Sequence, residues 1–391
     1  MNHKIITGLE NLIENPPGYL LGKRLGLLSN PASIHSHFRH AKDLVHTFFP
    51  GQLKALFSPQ HGFYAEKQDN MIESRHFMES DLNIPVFSLY NETRIPTKEM
   101  FDEIDVLLID IQDVGTRVYT FIYTISYCLE TAKRCNKQVV ILDRPNPIGG
   151  LQIEGNILSD DCTSFVGRFP IPMRHGLTVG EISRLFNQEF GIHADLTIIP
   201  MKNWRRQMYW QDTGLPWVSP SPNLPTPQSC MVYPGQVIFE GTNISEGRGT
   251  TLPFEQFGSP FLDIQTIKRD ADKIIKGAVL RQVHFEPTSG KWHGQVCKGF
   301  QIHITSKKEF NSYLTSLILM QLILKNHSHE FKFKEPPYEY EFERLPMDLI
   351  LGSKTLCEKL VAMENPIRLS EQWKDEQDQF QSLSRKYYLY D

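Results

Sequence analysis

Four polar runs each stand directly behind a short apolar stretch, and their residue types are those of acid–base and sugar chemistry. Behind residues 53–58 come Pro59-Gln60-His61-Gly62-Phe63 and a loop with Glu66, Asp69, Asn70 and Glu73. Behind 85–89 come Tyr90-Asn91-Glu92-Thr93-Arg94, and behind 105–109 come Asp110-Ile111-Gln112-Asp113-Val114-Gly115-Thr116-Arg117. Behind 138–142 come Asp143-Arg144-Pro145-Asn146. Carboxyl groups in such loops can hand over a proton or answer a positive charge. Arginines can grip an anion in bidentate fashion, and amides bond hydroxyls. Ligands of open parallel sheets bind beyond the carboxyl ends of the strands. Four such ends carrying Asp, Glu, Arg, amide and His side chains therefore point to one pocket.

Each residue also has a structural use. Asp110 and Asp143 can cap the turns that follow them, and Arg117 and Arg144 can pair with those aspartates. Glu92 and Arg94 can form an exposed pair. His61 is less ordinary, since Gly62 beside it lets backbone approach a ligand closely. A second polar loop, residues 239–251, holds Glu240, Asn243, Glu246 and Arg248 among three glycines. Its backbone N–H groups can face an anion or a sugar hydroxyl. Trp204, Trp210 and Trp217 offer ring faces to a sugar, or simply pack in the core. His35, His37 and His40 cluster without a Cys or carboxylate at ligand spacing, so no metal is expected. No G-x-S-x-G elbow or kinase signature occurs.

The elements that must carry these loops are legible in the hydrophobic pattern. Buried-looking runs at 24–29, 53–58, 85–89, 105–111 and 138–143 alternate with helix-period segments at 41–49, 98–104, 118–134 and 179–190. The last of these opens with the capping box Thr178-x-x-Glu181. Continuous apolar strands with helices between them predict a Rossmann-like, doubly wound, mostly parallel α/β sheet covered on both faces. No G-x-G-x-x-G follows the first strand, and Gly18-x-x-x-Gly22-Lys23 has the wrong spacing for a phosphate loop, so no nucleotide cofactor is expected. The proline-rich stretch 217–227 ends this domain. The expected division is 1–226 and 227–391, the second part a smaller α+β domain. There the pattern predicts a strand over 228–240, a helix over 264–276, strands over 279–286 and 299–305, and a helix through Phe310, Leu314, Leu317, Ile318 and Leu322.

Composition narrows the class. The 391 residues carry 41 Lys+Arg against 45 Asp+Glu, a net charge of −4, with 40% apolar and 22% charged residues. That excludes a disordered chain and gives no footprint for nucleic acid. Six scattered cysteines without a C-x-x-C pair suit a reducing compartment. The first residues show no apolar signal region, since Glu10 and Glu14 interrupt them, and no run is long enough to span a membrane. A cytoplasmic protein is the expectation.

Several longer stretches together resemble the NamZ-type exo-β-N-acetylmuramidases, a glycoside hydrolase family. They are P-Q-H-G-F (59–63), F-S-L-Y-N-E-T-R-I-P-T (87–97), D-I-Q-D-V-G-T-R-V-Y-T (110–120), L-D-R-P-N-P-I-G-G (142–150) and P-I-P-M-R-H-G-L-T-V-G-E (170–181). D-T-G-L-P-W-V-S-P-S-P-N-L-P-T (212–226), F-E-G-T-N-I-S-E-G-R-G-T-T (239–251) and Y-E-Y-E-F-E-R-L-P-M-D-L-I-L-G (338–352) complete the set. The resemblance implies a Rossmann-like domain, an auxiliary domain and a sugar cleft between them. The implied activity is release of N-acetylmuramic acid from the non-reducing end of peptidoglycan fragments, without a cofactor. A small saccharide or muropeptide would be the partner, in cell-wall recycling. On this reading Glu73 or Glu246 serves as acid/base, aided by His61 and Gln60. Arg117, Asp143, Arg144 and Asn146 hold the sugar, and Glu92, Arg94, Asp110, Asp113, Tyr119, His175, Glu240, Asn243 and Arg248 complete its surroundings. The lactyl carboxylate would suit Arg117, Arg144 or Arg248. The family pattern reads P-E-H-G-F where this chain has Gln60, and the alternative implied is a glycan-binding homologue with altered catalysis.

Overall fold

The computed structural model describes residues 4–69 and 71–391; Asn70 and Met1, Asn2 and His3 lie outside them. Among the described residues nine strands form in the first half: β1 (Leu25–Ser29), β2 (Leu53–Ser58), β3 (Phe77–Glu79), β4 (Ile84–Ser88), β5 (Val106–Asp110), β6 (Gln138–Leu142), β7 (Glu154–Ile157), β8 (Pro172–Arg174) and β9 (Asp195–Ile199). Seven of them make one sheet in the order β3-β4-β2-β1-β5-β6-β9. All its pairings are parallel except that of the short edge strand β3 with β4. Strands β1 and β5 are buried at every position, as strands covered on both faces must be. The doubly wound α/β expectation stands.

Helices Ala41–Phe48, Lys98–Asp102, Phe121–Cys135 and Val179–Glu189 fall where the apolar period placed them. The Thr178–Glu181 capping box forms: the threonine hydroxyl accepts from the Glu181 amide while Glu181 accepts from the Thr178 amide. Strand β9 was not anticipated, because Asp195-Leu-Thr-Ile-Ile alternates only weakly and sits at the sheet edge.

In the second half, β10 (Gln256–Ser259), β11 (Ala278–Phe285) and β12 (Cys297–Ile304) form an antiparallel sheet in the order β10-β12-β11. The strand expected over 228–240 is instead a helix, Pro227–Gln236, followed by a tight turn, Val237–Gly241. Thr226 caps it, Pro227 occupies the first turn, and Cys230, Met231, Val232 and Tyr233 are all buried. A helix buried all round shows no 3.6 period, so the run reads as a strand. Gly235 lets it touch the helix Ser312–Asn326: a Cβ there would sit 1.9 Å from the Ser312 carbonyl oxygen.

One apolar cluster runs from Leu28 in β1 through Phe239 and Phe300 to Phe380, so the two halves share a core. The last residues return to the first half. The Tyr390 hydroxyl donates to Asp143 at 2.6 Å, and the Arg206 guanidinium lies 3.4 Å from the Tyr388 ring centre.

The chain order reverses between β1 and β5, the position where doubly wound sheets usually hold a ligand. Here the protein fills that crevice itself. Arg144 bonds Asp110 at 2.5 and 2.8 Å and the Ile34 carbonyl at 2.9 Å. Asn30 donates to the Gln112 carbonyl at 3.0 Å, and the Ser33 hydroxyl bonds the Asp110 carbonyl.

Candidate active site

A narrow cleft opens beyond the end of β2, against the second half of the chain. Its polar lining includes Gln60, His61, Tyr119, Thr120, Glu240, Arg248, Tyr338 and Glu339. Gln60 and His61 leave β2, and Thr120 precedes the helix Phe121–Cys135. Glu240 belongs to the turn after the buried helix, and Tyr338 and Glu339 begin a tight turn closed by mutual backbone bonds between Tyr338 and Glu341 at 2.9 Å.

Glu339 is almost wholly buried and accepts on both oxygens. Gln60 Nε2 donates to one at 3.0 Å, and the Tyr90 hydroxyl donates to the other at 2.7 Å. Thr120 Oγ1 donates to Gln60 Oε1 at 2.7 Å, which fixes the amide so that its NH₂ faces Glu339. Glu339 and Tyr340 have φ of 46° and 65°, left-handed values that cost free energy and are held only where surroundings demand them. Burial raises the Glu339 carboxyl above the ordinary glutamate range, the Tyr90 and Gln60 bonds pull it back, and the Glu240 charge adds to the rise.

Glu240 is the opposite case. Burial acts to raise it, but the Arg248 guanidinium at 2.6 Å and the Tyr338 hydroxyl at 2.8 Å hold it below the usual range. Arg248 also meets Glu246 at 3.3 Å, and Lys291 bonds Glu246 at 2.7 Å. Arg248 Nη1 is buried without a partner among the described residues. Two carboxyls in one cleft are thus driven apart, one toward the acid and one toward the carboxylate, the arrangement that separates acid and base roles. His61 sits at φ 76° with Nδ1 2.7 Å from the Lys67 carbonyl. A carbonyl only accepts, so Nδ1 carries the proton. Burial lowers its pKa to about 4, against the Lys67 bond, and the ring is neutral.

Of the residues named from sequence, Gln60, His61, Tyr119, Glu240 and Arg248 line the cleft. Glu246 lies behind Arg248, and Asn243 bonds the backbone of Glu330 and Lys332. Arg94 lies with its guanidinium 3.3 Å from the Tyr340 ring centre, and exposed Glu73 accepts from the Tyr340 hydroxyl at 3.3 Å. Glu92 is exposed. The remainder are buried in the scaffold beneath. Arg117 donates to the carbonyls of Asn156, Ile171, Ile350 and Leu351. Asp143 accepts from Thr178, Gly180 and Tyr390, Asn146 donates to Leu177, and Asp110 pairs with Arg144. Asp113 accepts from the Gly115 amide at 2.6 Å, and burial lifts it to about 7. His175, 3.9 Å from Asp113, is lowered by burial to about 3.

Sequence reasoning did not select Glu339, Thr120, Tyr233 or Tyr338, which line the cleft, and it read Tyr90 only as part of a strand-end run. The stretch 338–352 stands out as a motif, yet nothing in Tyr-Glu-Tyr-Glu-Phe-Glu distinguishes the buried Glu339 from the half-buried Glu341 and the exposed Glu343. Glu339 lies 279 residues from Gln60, and only the fold joins them.

Known proteins share this architecture. Residues 25–228 match the family model described as exo-beta-N-acetylmuramidase NamZ, N-terminal, and residues 231–390 match its C-terminal counterpart. The chain is 40% identical over 388 residues to the peptidoglycan beta-N-acetylmuramidase NamZ of Bacillus subtilis (strain 168), spanning 99% of this chain and 92% of that one. A DUF1343 family crystal structure from Bacteroides fragilis NCTC 9343 superposes with a TM-score of 0.88 at 33% identity, covering 99% of both chains. A second from the same organism has a TM-score of 0.77 at 28% identity, covering 100% of this chain and 99% of that one.

Proposed function

The chain belongs to the exo-β-N-acetylmuramidase NamZ family, and from that premise we propose that it is a glycoside hydrolase releasing N-acetylmuramic acid from the non-reducing end of peptidoglycan fragments. The observation that carries the reading is the pair Glu339 and Glu240, one carboxyl raised and one lowered in the same cleft. Glu339 gives its proton to the glycosidic oxygen as the bond to the anomeric carbon breaks and its electrons pass to that oxygen. Glu240, held ionised by Arg248, answers the positive charge that develops at the carbon. Water adds there, and its proton restores Glu339. The partnerless Nη1 of Arg248 supports recognition of the lactyl carboxylate that marks a muramic acid.

No helix among the described residues is long and apolar enough to cross a membrane. The six cysteines are unpaired, which supports a reducing compartment and work on imported cell-wall fragments in the cytoplasm.

The test is a chromogenic N-acetylmuraminide with the wild type and Glu339→Gln. Turnover by the wild type with a loss of roughly 10²–10⁴-fold in kcat in the variant supports the reading. Binding of the sugar without turnover by the wild type would make the protein a glycan-binding homologue instead.

A further inference from the structure

The turn that brings Glu339 into the cleft is strained and is gripped from two sides. Tyr338 and Glu341 close it by mutual backbone bonds, and inside it Glu339 and Tyr340 both have left-handed φ. Such backbone persists only where its surroundings over-determine it. On one side the Tyr338 hydroxyl donates to Glu240 at 2.8 Å. On the other side stands Arg94, in the loop that follows β4.

Arg94 sits in a bend set by Thr93, whose hydroxyl donates to the Ile95 carbonyl at 2.9 Å and accepts from the Ile95 amide at 3.0 Å. Its guanidinium carbon lies 3.3 Å from the centre of the Tyr340 ring, 5.2 Å from that of Tyr90 and 5.6 Å from that of Phe165. Nε and Nη2 are buried without a hydrogen-bond partner among the described residues. A guanidinium placed over ring faces is held by their quadrupoles, and the attraction grows as water is excluded. The rings also meet each other, Tyr90 with Tyr340 at 5.8 Å and with Phe165 at 5.9 Å. One cation thus ties together the loop after β4, the stretch beside the cleft residue Val166, and the turn 338–341. Arg94 itself does not line the cleft, so it acts on the site through these rings. Tyr90 carries the effect directly, since its hydroxyl donates to Glu339 at 2.7 Å.

We propose that Arg94 is a positioning residue: its guanidinium, caged by Tyr90, Phe165 and Tyr340, latches the turn 338–341 so that the Glu339 carboxyl stays between Tyr90 and Gln60. The proposal rests on the hydrolase reading above. The Arg94 charge also favours the ionised form of Glu339. The other groups that face Glu339 are Tyr90, Gln60 and Glu240 with its partner Arg248, and they are unchanged in the variants below.

The experiment has two readouts. The first is the pH dependence of kcat and KM on a chromogenic N-acetylmuraminide for the wild type, Arg94→Met and Arg94→Lys. Arg94→Met should lose about tenfold in kcat, the fold-change to which a desolvated cation–π contact converts, and should keep its KM. Its alkaline limb should move to higher pH, because a charge that favours ionised Glu339 is gone. Arg94→Lys keeps a charge and should return the limb toward the wild-type position. A raised KM with kcat unchanged would overturn the proposal by making Arg94 a substrate contact. So would an alkaline limb that Arg94→Met leaves in place.

The second readout needs no turnover. Hydrogen exchange of the Tyr338 and Glu341 amides should be about tenfold faster in Arg94→Met and in Tyr340→Leu. Tyr340→Phe keeps the ring, loses the bond to Glu73 and should exchange like the wild type. Unchanged exchange in Arg94→Met or in Tyr340→Leu would overturn the latch. A rise in Tyr340→Phe as large as in Tyr340→Leu would also overturn it, by assigning the hold to Glu73. Absence of wild-type turnover would instead sink the hydrolase reading, and exchange would then decide the latch alone.

Discussion

The side-chain amide of Gln60 donates a 3.0 Å hydrogen bond to the carboxylate of Glu339. Because Thr120 occupies the amide oxygen, Gln60 can present only its NH₂ to that carboxylate. An amide at this place supplies a fixed donor without a charge. Glu339 therefore meets one hydrogen-bond donor on each oxygen, and the Glu240 charge acts to raise its pKa.

Changing Gln60 should move the pH profile. Its hydrogen bond favours the ionised form of Glu339, so Gln60→Ala should raise the Glu339 pKa. A general acid is lost as pH rises through its pKa, so the alkaline limb of kcat/KM should move to higher pH. Gln60→Glu should move it further, since two carboxyls about 3 Å apart share one proton. The measurement is the pH dependence of kcat/KM for a chromogenic substrate. An unmoved alkaline limb in both variants would show that Glu339 is not the acid.

How far the sequence led depends on the range of the interaction involved. The central strands were legible because burial on both faces leaves uninterrupted apolar runs, as in Val106–Asp110. The site was legible on one side only. Gln60 and His61 follow a strand directly, so the rule that ligands sit beyond strand ends finds them. The same rule also selects Asp110, Asp143 and Arg144, which the fold uses to fill the switch-point crevice and to anchor its own turns and C-terminal tail. A strand-end carboxylate looks alike in both roles until its partner is known. Glu339 was hidden for the converse reason, since its burial comes from a turn that meets β2 only in three dimensions.

Arg248 should be a large stability determinant with a defined pH dependence. Arg248→Met removes the guanidinium that meets both Glu240 and Glu246, and removing one partner of a buried ion pair costs about 3 kcal/mol. In the wild type Glu240 has a lowered folded pKa, so its contribution is present above the ordinary glutamate range and is lost as pH falls through the folded value. In the variant burial is opposed by the Tyr338 hydroxyl and the Lys291 charge without the guanidinium, so the Glu240 pKa should rise and stability should improve as pH falls. The gap between variant and wild type in urea unfolding should thus be wider at pH 7 than at pH 5. A gap that does not narrow on acidification would refute the assignment of Glu240 as an ionised group.

His61 should contribute to acid sensitivity. Its folded pKa of about 4 lies below the ordinary 6.5, so the unfolded chain binds a proton that the folded protein refuses. Stability must then fall as pH drops from 6.5 toward about 4. His61→Asn keeps a residue tolerant of positive φ and an amide for the Lys67 carbonyl, and it removes the titration. Its stability should decline less steeply across that window in denaturant unfolding. His175, lowered to about 3, retains part of the slope, and the double variant His61→Asn, His175→Gln should flatten it further.

The returning tail provides the remaining prediction. Burial lifts Asp143 to about 6, while the hydroxyls of Tyr390 and Thr178 and the Gly180 amide hold its ionised form. Tyr390→Phe removes one of those donors and also the acceptor of the Met201 amide bond at 2.9 Å. The loss should be about 1–3 kcal/mol, since a buried carboxylate and a backbone amide each lose a partner. It should also depend on pH in a set direction. A raised carboxyl costs stability as pH rises through its folded pKa, and the variant stabilises the ionised form less. The fall in Tm relative to wild type should therefore be larger at pH 8 than at pH 5. Equal falls at both values would mean that Tyr390 anchors the tail by packing against Trp204, whose ring lies 5.1 Å away, and not through Asp143.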